Sequence, residues 1–324
     1  MATRQLDRVP DAAEGPASIS SETSFMQLGA LIPLNDIGPD PMAVREYAQS
    51  MEGMGYHFLE APDHVLGVNP GSRPGWDMTR NTSSDLFHDP FVLFGFLAGC
   101  TTQLGFATGV LILPQRQTAL VAKQAACLDV LCGGRFRLGI GVGWNEAEFV
   151  ALGENFHNRG RRSEEQVQLM QKLWGEPHVT FEGKYHHIED AGINPRPSAG
   201  KVPIWFGGHH ERTLPRIAKW GDGWMPNAYP PDDEALRIFD ELRDLTRKAG
   251  RDPAAVGIEV WTSCGGGTPE EWRKEAAFWK RAGATHLCLT TTFNRRHHKR
   301  IAGHTAADHL TALKSYREAI GPEL

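Results

Sequence analysis

Short apolar runs of strand type alternate with stretches of helical period along almost the whole chain from Phe25 onward. Parallel strands need long crossover connections, usually helices, so this alternation is typical of an α/β fold with a parallel sheet. Eight β/α units in 324 residues favour a closed (β/α)8 TIM barrel over an open sheet. The predicted strands are Met26–Ile32, Tyr56–Glu60, Gln103–Leu111, Arg135–Gly141, Val202–Phe206, Gly223–Met225, Val256–Trp261 and His286–Leu289.

Two regions interrupt the alternation and are predicted as loops inserted after strands 2 and 4. Ala61–Pro90 is rich in Gly, Pro, Asp and Asn, whereas His178–Pro197 alternates polar and aromatic residues like a small hairpin. Long ordered loops in a compact domain are usually functional. Helical periodicity is predicted near residues 41–53, 90–100, 117–131, 145–152, 160–174, 211–220, 232–249, 269–282 and 305–319.

The N-terminal residues 1–24 differ in composition from the rest of the chain. They are rich in Ala, Ser, Glu and Asp and contain no apolar core of the kind that a secretory signal needs. We therefore expect a disordered tail at 1–24 and a single barrel domain over 25–324.

Charge and composition exclude several classes of partner. The formal net charge is −5, which argues against a protein that binds nucleic acid by neutralising phosphates. No run approaches the roughly 18 apolar residues of a membrane span. The cysteines are odd in number and form no C-x-x-C pair, so they predict buried free thiols in a reducing cytoplasm. They are Cys100, Cys127, Cys132, Cys264 and Cys288.

A glycine-rich segment, Gly139-Ile-Gly-Val-Gly-Trp144, follows the fourth strand. It fails as a dinucleotide fingerprint because Trp144 stands where the third glycine of G-x-G-x-x-G is required. A glycine-rich loop at the C-terminal end of a barrel strand can still bring backbone amides close to a flat or anionic ligand. Tight packing of the strand against the next helix is the alternative interpretation.

Asp63 and His64 come just after the second strand, where a barrel displays its active site. A carboxylate there can order the loop or a ligand. Imidazole titrates close to neutrality, so His64 is a candidate to exchange a proton with a reacting group. A loop histidine without a chemical role is the alternative.

Two further strand ends carry candidate residues. The third predicted strand contains Thr108-Gly-Val110, where Gly109 could mark a bulge. Gly207-Gly-His-His210 follows the fifth strand and offers amides and donors for a phosphate, or is a loop without a ligand. His209 and His210 are adjacent and lack further spaced ligands, so we predict no metal site.

Taken together, ten segments of the chain resemble a known superfamily. They are Asp89–Phe91, Thr108–Pro114, Ala122–Ala125, Leu128–Leu131, Gly133–Arg135, Leu138–Glu146, Ala151–Gly153, Ile193–Pro197, Pro203–Gly208 and Gly221–Met225. In this order they resemble the luciferase-like monooxygenase superfamily over most of residues 26–320. Within it, the chain is most similar to oxidoreductases that use the deazaflavin coenzyme F420 rather than FMN.

The resemblance implies a barrel whose C-terminal mouth holds an isoalloxazine-type ring. It also implies a cis peptide at the end of the third strand, here Gly109–Val110, and an Asp63-His64 pair that meets coenzyme and substrate. The coenzyme-binding residues expected on this basis are Asp63, Gly109, Val110, Gly141, Gly143, Trp144, Gly207, Gly208 and His209, with the last three at the phosphate.

The chain departs from one branch of this superfamily. Sugar-phosphate dehydrogenases place a catalytic glutamate where this chain has Trp144, which argues against that reaction and suggests a bulkier, more apolar substrate. Glu146 and Glu148 are interpreted as residues of a first helical turn favoured by the macrodipole, not as replacements for that glutamate.

The resulting hypothesis is a cytoplasmic oxidoreductase that moves a hydride between C5 of the deazaflavin and a small organic substrate, with His64 as the catalytic proton donor or acceptor. One alternative is an FMN-dependent monooxygenase that uses O2, and another is a coenzyme-binding protein without catalysis. The superfamily also implies a homodimer. The sequence does not identify the substrate or the direction of hydride transfer.

Overall fold

The computed structural model describes residues 25–77, 81–209, 211–227 and 229–321. The tail predicted at residues 1–24 lies outside this range. The described strands are β1 (Gln27–Leu31), β2 (Phe58–Ala61), β3 (Gly105–Thr108), β4 (Leu111–Ile112), β5 (Phe136–Gly141), β6 (Val179–Glu182), β7 (His187–Ala191), β8 (Ile204–Gly207), β9 (Gly223–Met225), β10 (Gly257–Ser263) and β11 (His286–Thr290).

Helices follow the strands in the predicted alternation. They are α1 (Leu34–Ile37), α2 (Pro41–Gly53), α3 (Pro90–Ala98), α4 (Thr118–Leu131), α5 (Glu146–Ala151), α6 (Arg159–Gly175), α7 (Thr213–Trp220), α8 (Asp233–Lys248), α9 (Pro269–Ala282) and α10 (Ala306–Ile320). Among the described residues, no helix combines the length and apolar character that crossing a bilayer requires.

The strands close into a parallel barrel. β1 pairs with β2 on one side and with β11 on the other, and the pairing of β3 with β5 completes the circle through β8, β9 and β10. The predicted (β/α)8 barrel is therefore confirmed. β6 and β7 pair with each other in antiparallel fashion, as the hairpin predicted at His178–Pro197.

The third barrel strand differs from its predicted bounds of Gln103–Leu111. β3 stops pairing with β2 at Thr108, and β4 then continues the strand by pairing with β5 only. Between the two lies a cis peptide bond at Gly109–Val110, which confirms the expectation from the resemblance. We call Gly109 and Val110 the bulge.

The helices pack on the outside of the barrel through apolar faces, as the periodicity predicted. α9 illustrates how the sequence limits such a helix: Thr268 and Glu271 form a capping box at its start, and Gly283 ends it in the left-handed conformation with a φ of 83°. Large aromatic side chains such as Trp174, Trp224 and Trp279 are fully buried in the layer between strands and helices.

The inside of the barrel contains charged residues that the sequence analysis did not single out. Glu60 on β2 and Glu259 on β10 have no exposed surface. The Arg137 guanidinium from β5 lies over the Phe58 ring at 4.4 Å and over the Trp205 ring at 4.5 Å. A charge in an apolar interior must be paired, and Arg137 pairs with Glu259 at 2.6 Å.

Candidate active site

The C-terminal ends of the strands bring most of the predicted site residues together around the bulge. Val110 is the centre of this arrangement because two glycines of neighbouring strands face its side chain. A Cβ built on Gly141 or on Gly207 would lie 2.6 Å from a methyl group of Val110. Only glycine leaves room for Val110 at these two positions, so the two glycines allow the bulge to pack closely against β5 and β8.

Gly143 continues this surface after β5. Its φ of 74° lies in the left-handed region, and a Cβ on it would lie 2.6 Å from Cγ2 of Ile112. Both the backbone conformation and the close approach therefore require glycine. This explains the glycine-rich segment after the fourth barrel strand without any dinucleotide fingerprint.

Asp63 anchors the chain that follows the bulge. Its carboxylate is buried and accepts a hydrogen bond from the backbone N–H of Ile112 at 3.0 Å. The Arg116 guanidinium adds an ion pair to Asp63 at 2.8 Å and reaches Asp89 at 3.0 Å. Asp89 in turn caps the N-terminus of α3. Asp63 thus orders the loop, and a direct contact with the coenzyme stays a prediction.

His64 points to a different set of partners from its neighbour. Its Nδ1 lies 3.1 Å from Oε2 of Glu148, the third residue of α5. Its ring packs edge to face against Phe87, with a centroid distance of 4.9 Å, and against Trp144 at 5.9 Å. Among the described residues, Nε2 forms no hydrogen bond and is the nitrogen left for a ligand.

Glu148 has a role that the sequence analysis did not assign to it. It does stand in the first turn of α5, but its side chain is buried and reaches the loop after β2. Besides His64, its carboxylate accepts hydrogen bonds from the backbone N–H of Val65 at 2.9 Å and of Leu66 at 3.4 Å. Glu148 therefore fixes both the loop and the imidazole, which the macrodipole interpretation did not foresee.

The charge of Glu148 follows from these contacts. Burial acts to raise the pKa of Glu148, but the hydrogen bond and positive charge of His64 together with the amides of Leu66 and Val65 outweigh it. The pKa of Glu148 is lowered as a result, so this carboxyl is ionised at neutral pH. A buried carboxylate that orients an imidazole is a common arrangement for a general acid or base.

A groove of about 410 Å³ opens beside this pair. The loop after β2 contributes Trp76 and Asp77 to one side, and Trp144 and Asn145 line the other. The rings of Trp76 and Trp144 lie 5.6 Å apart at an angle of 36°. The size is within the range of small-molecule sites, and two tryptophans give it an apolar wall.

The inserted loop makes an internal contact and a contact with another loop. Val68 and Thr82 form a short bridge within the loop, and Asp77 lies 3.9 Å from Arg295 of the loop after β11. The functional interpretation of the insertion at Ala61–Pro90 gains support, because it supplies one side of the groove.

The predicted phosphate residues lie at the end of β8, the strand next to β5. Gly207 ends β8, and Gly208 has a φ of 104° that favours glycine. A Cβ on Gly208 would lie 3.7 Å from the hydroxyl oxygen of Thr213, the first residue of α7. Gly208 thus lies beside a helix N-terminus. His209 is exposed, and His210 lies outside the described residues.

The arrangement fits a flat ring that carries an anionic tail. Gly141, Gly207 and the bulge pack into one continuous surface at the strand ends, and Gly208 brings the chain to a helix N-terminus that favours negative charge. His64, Trp144 and the groove lie next to this surface. The residues therefore match a coenzyme of the isoalloxazine type.

Comparison with known proteins decides the family. The family model of the luciferase-like monooxygenases matches residues 20–321. The chain belongs to the luciferase-like monooxygenase family. The predicted family and the predicted class, an F420- or flavin-dependent oxidoreductase, are thereby confirmed.

Two relatives show how similar the chain is to individual proteins. The uncharacterized protein Rv0940c of Mycobacterium tuberculosis (strain ATCC 25618 / H37Rv) is 37% identical over 209 residues, which are 63% of this chain and 71% of the relative. The FMNH(2)-dependent dimethylsulfone monooxygenase of Pseudomonas fluorescens (strain Pf0-1) is 29% identical over 185 residues, 56% of this chain and 49% of that protein.

The fold is also that of a solved structure. An F420-dependent secondary alcohol dehydrogenase in complex with an F420-acetone adduct superposes with a TM-score of 0.73 at 19% identity, covering 92% of this chain and 99% of that one. Similarity at this level of identity supports the barrel fold alone.

Proposed function

We propose that this chain is a coenzyme F420-dependent oxidoreductase that transfers a hydride between the deazaflavin and a small organic substrate. The observation that carries the proposal is the His64–Glu148 pair, because it places an imidazole held by a buried carboxylate beside the glycine surface of the barrel mouth. When bound, the deazaflavin supplies hydride donation or acceptance at its C5. The protein must move the accompanying proton.

Each site residue has a role in this proposal. Gly141 and the bulge form the surface that receives the ring, and Gly207 and Gly208, with His209 next to them, receive the phosphate. Glu148 holds the His64 ring by Nδ1, which leaves Nε2 to give a proton to the substrate oxygen or to take one from it. The orientation of one catalytic nitrogen by a bond to the other is the usual way to fix an imidazole.

The groove indicates the kind of substrate. Trp76 and Trp144 provide an aromatic wall, and Arg73, Asp77 and Glu146 line the same groove with charged groups. We propose an organic substrate whose apolar part lies against the tryptophans, with a carbonyl, hydroxyl or conjugated alkene as the reacting group. The inserted loop after β2 would help to exclude water from it.

An FMN-dependent monooxygenase is the second candidate. The similarity to the FMNH(2)-dependent dimethylsulfone monooxygenase favours it, since the two chains share 29% identity over 185 residues. A common scaffold can host both chemistries, so the coenzyme has to be measured directly.

Titration of the purified protein with each coenzyme separates these candidates. We expect coenzyme F420 to bind at least about tenfold more tightly than FMN, a difference of about 1.4 kcal/mol. Fluorescence of each coenzyme, followed at constant protein concentration, gives the two dissociation constants. Equal or reversed affinities would favour the FMN-dependent reaction.

The proposal extends to a homodimer. α3 contains no charged residue, and it exposes 72% of Val92 and 45% of Phe96 to solvent. The neighbouring α4 exposes 52% of Leu120 and 73% of Leu131. Apolar side chains on two adjacent helices are a typical interface between subunits, and a second copy of this chain is the proposed partner.

Sedimentation velocity tests the dimer. The double variant Val92→Glu/Phe96→Glu is expected to sediment as a monomer where the parent protein is a dimer, because charge in the core of an interface is costly. Met42→Glu is the control, since Met42 is 51% exposed on a different helix, α2. A parent that is monomeric, or a double variant that stays dimeric, would contradict the assigned interface.

The proposed location is the cytoplasm. All five cysteines carry free thiols, as predicted, and Cys132, Cys264 and Cys288 are buried, whereas Cys100 and Cys127 are half-buried. Free thiols support a reducing compartment.

A further inference from the structure

Two carboxyl groups face each other inside the barrel beneath the bulge. Glu60 from β2 and Glu259 from β10 are fully buried. A carboxyl oxygen of each and Sγ of Cys288 all lie within 4.8 Å of one another. Two ionised carboxylates at such a distance in an apolar interior repel each other strongly. The pair therefore requires a proton or a cation.

The hydrogen bonds of the two groups show where a proton fits. Oε1 of Glu60 accepts from the indole N–H of Trp261 at 3.2 Å, and Oε2 of Glu259 accepts from Arg137 at 2.6 Å. The other oxygen of each carboxyl, Oε2 of Glu60 and Oε1 of Glu259, has no partner among the described residues. Since a buried polar atom without a partner is costly, a proton on one carboxyl that is donated to the other would reduce this cost.

The surroundings decide which residue carries the proton. Arg137 forms an ion pair with Glu259, whereas the hydrogen-bond donor to Glu60 is the neutral Trp261 indole, and the thiol of Cys288 lies close by. Burial and the charge of Glu259 raise the pKa of Glu60 well above its ordinary range. Burial also raises the pKa of the Cys288 thiol, which keeps it neutral. With one proton on Glu60, the positive charge of Arg137 balances the negative charge of Glu259, and the group formed by Glu60, Glu259, Arg137 and Cys288 has no net charge.

Glu60 also touches the backbone that lines the coenzyme surface. A Cβ built on Gly109 would overlap the Glu60 carboxyl, so the bulge rests directly on this group. The shape and the charge of Glu60 therefore act on Gly109, and through it on Val110 between Gly141 and Gly207.

We propose that Glu60 and Glu259 share one proton, carried by Glu60, and that the neutral Glu60 carboxyl is a positioning residue that supports the bulge behind the coenzyme ring. The shared proton is a property of the protein without any ligand. The positioning role rests on the proposed function, because it needs a coenzyme at the barrel mouth.

Infrared spectroscopy of the protein without coenzyme tests the proton. At neutral pH the parent is expected to show the C=O stretching band of a protonated carboxylic acid, and Glu60→Gln is expected to lose it. Glu275→Gln is the matched control: Glu275 lies on α9, hydrogen-bonds to Trp279, and has a pKa raised chiefly by burial. Its substitution should leave the Glu60 band in place.

The same variants test the cation alternative and the site of the proton. Absence of the band in the parent, or its survival in Glu60→Gln, would overturn the shared proton. A stoichiometric divalent cation that elemental analysis finds in the parent and not in Glu60→Gln would overturn it as well, since a cation would leave both carboxyls ionised.

Coenzyme affinity tests the positioning role. A glutamine amide offers the donor and the acceptor of a neutral carboxylic acid, so Glu60→Gln should bind coenzyme within about threefold of the parent, whereas Glu60→Ala, which removes the support, should bind at least about tenfold more weakly. Parental affinity in Glu60→Ala, or a loss in Glu60→Gln equal to that in Glu60→Ala, would overturn this role. A parent that binds neither F420 nor FMN would contradict the proposed function and leave the infrared result standing.

Discussion

His64→Ala is expected to lower kcat by about 10²–10⁴-fold, the usual contribution of general acid–base catalysis, with little change in coenzyme affinity. The reason is that His64 is the proposed proton donor or acceptor at the barrel mouth and is held by Glu148 at 3.1 Å. The measurements are steady-state kinetics with the accepted coenzyme and substrate, and fluorescence titration of the coenzyme. Each variant is first compared with the parent by circular dichroism.

Two further variants make this result specific. His157→Ala is the matched control, because the His157 side chain is 82% exposed and should leave kcat at the parental value. Glu148→Gln keeps an oxygen for the amides of Val65 and Leu66 but removes the charge that faces His64. We expect it to lower kcat by less than His64→Ala does, since Glu148 acts through the histidine.

The outcome also distinguishes the remaining roles of His64. If His64 only positions the ring of the coenzyme, the dissociation constant should rise together with the loss of rate. If the chain binds coenzyme without catalysis, no turnover should appear in the parent and His64→Ala should bind coenzyme unchanged. A variant with parental kcat would remove His64 from the mechanism.

Gly207→Asp is expected to weaken coenzyme binding by about 10–100-fold. An added Cβ would lie 2.6 Å from Val110, so Val110 must shift and the surface at the barrel mouth changes shape. The expected loss corresponds to about 1.4–2.7 kcal/mol of binding free energy. The aspartate also places a negative charge where we propose the phosphate. Fluorescence titration gives the change in dissociation constant.

Gly207→Ala separates shape from charge at this position, because it adds only the Cβ. Gly53→Asp is the control for a surface aspartate, since nothing lies within 4 Å of a Cβ on Gly53 at the end of α2. Parental affinity in Gly207→Asp would place the phosphate elsewhere. Equal losses in the two Gly207 variants would assign the effect to the contact with Val110.

The barrel itself could be predicted because its signal is repeated. Each strand is a short apolar run followed by a helical period, and eight repeats leave few alternatives. The break after Thr108 could not be derived from this pattern, since Val110, Leu111 and Ile112 look like a continuous β-strand. Its position at Gly109–Val110 came from the family resemblance, and the structure confirms it.

Candidate site residues could be predicted when they directly follow a predicted strand. They could not be predicted when they reach the site only through a contact with a distant part of the chain. Asp63, His64 and Gly207 follow strand ends, which identifies them as residues of the barrel mouth. Glu148 was missed because an acidic residue in a first helical turn already has a local explanation, and its contact with His64 spans 84 residues. Glu60 could have been singled out from the sequence, because it is a charged residue within the apolar run Phe58–Ala61 and a buried charge needs a partner.

Arg116 has a consequence that reaches beyond the loop it orders. One guanidinium binds both Asp63 at the barrel mouth and Asp89 at the start of α3, and α3 carries the apolar face proposed for the dimer. If coenzyme binding changes the free energy of the contacts of Arg116, it also changes the affinity of the two subunits for each other. Subunit association then changes the affinity for the coenzyme by the same factor. In such a dimer, dilution of the protein and depletion of the coenzyme would be two ways of shifting one coupled equilibrium.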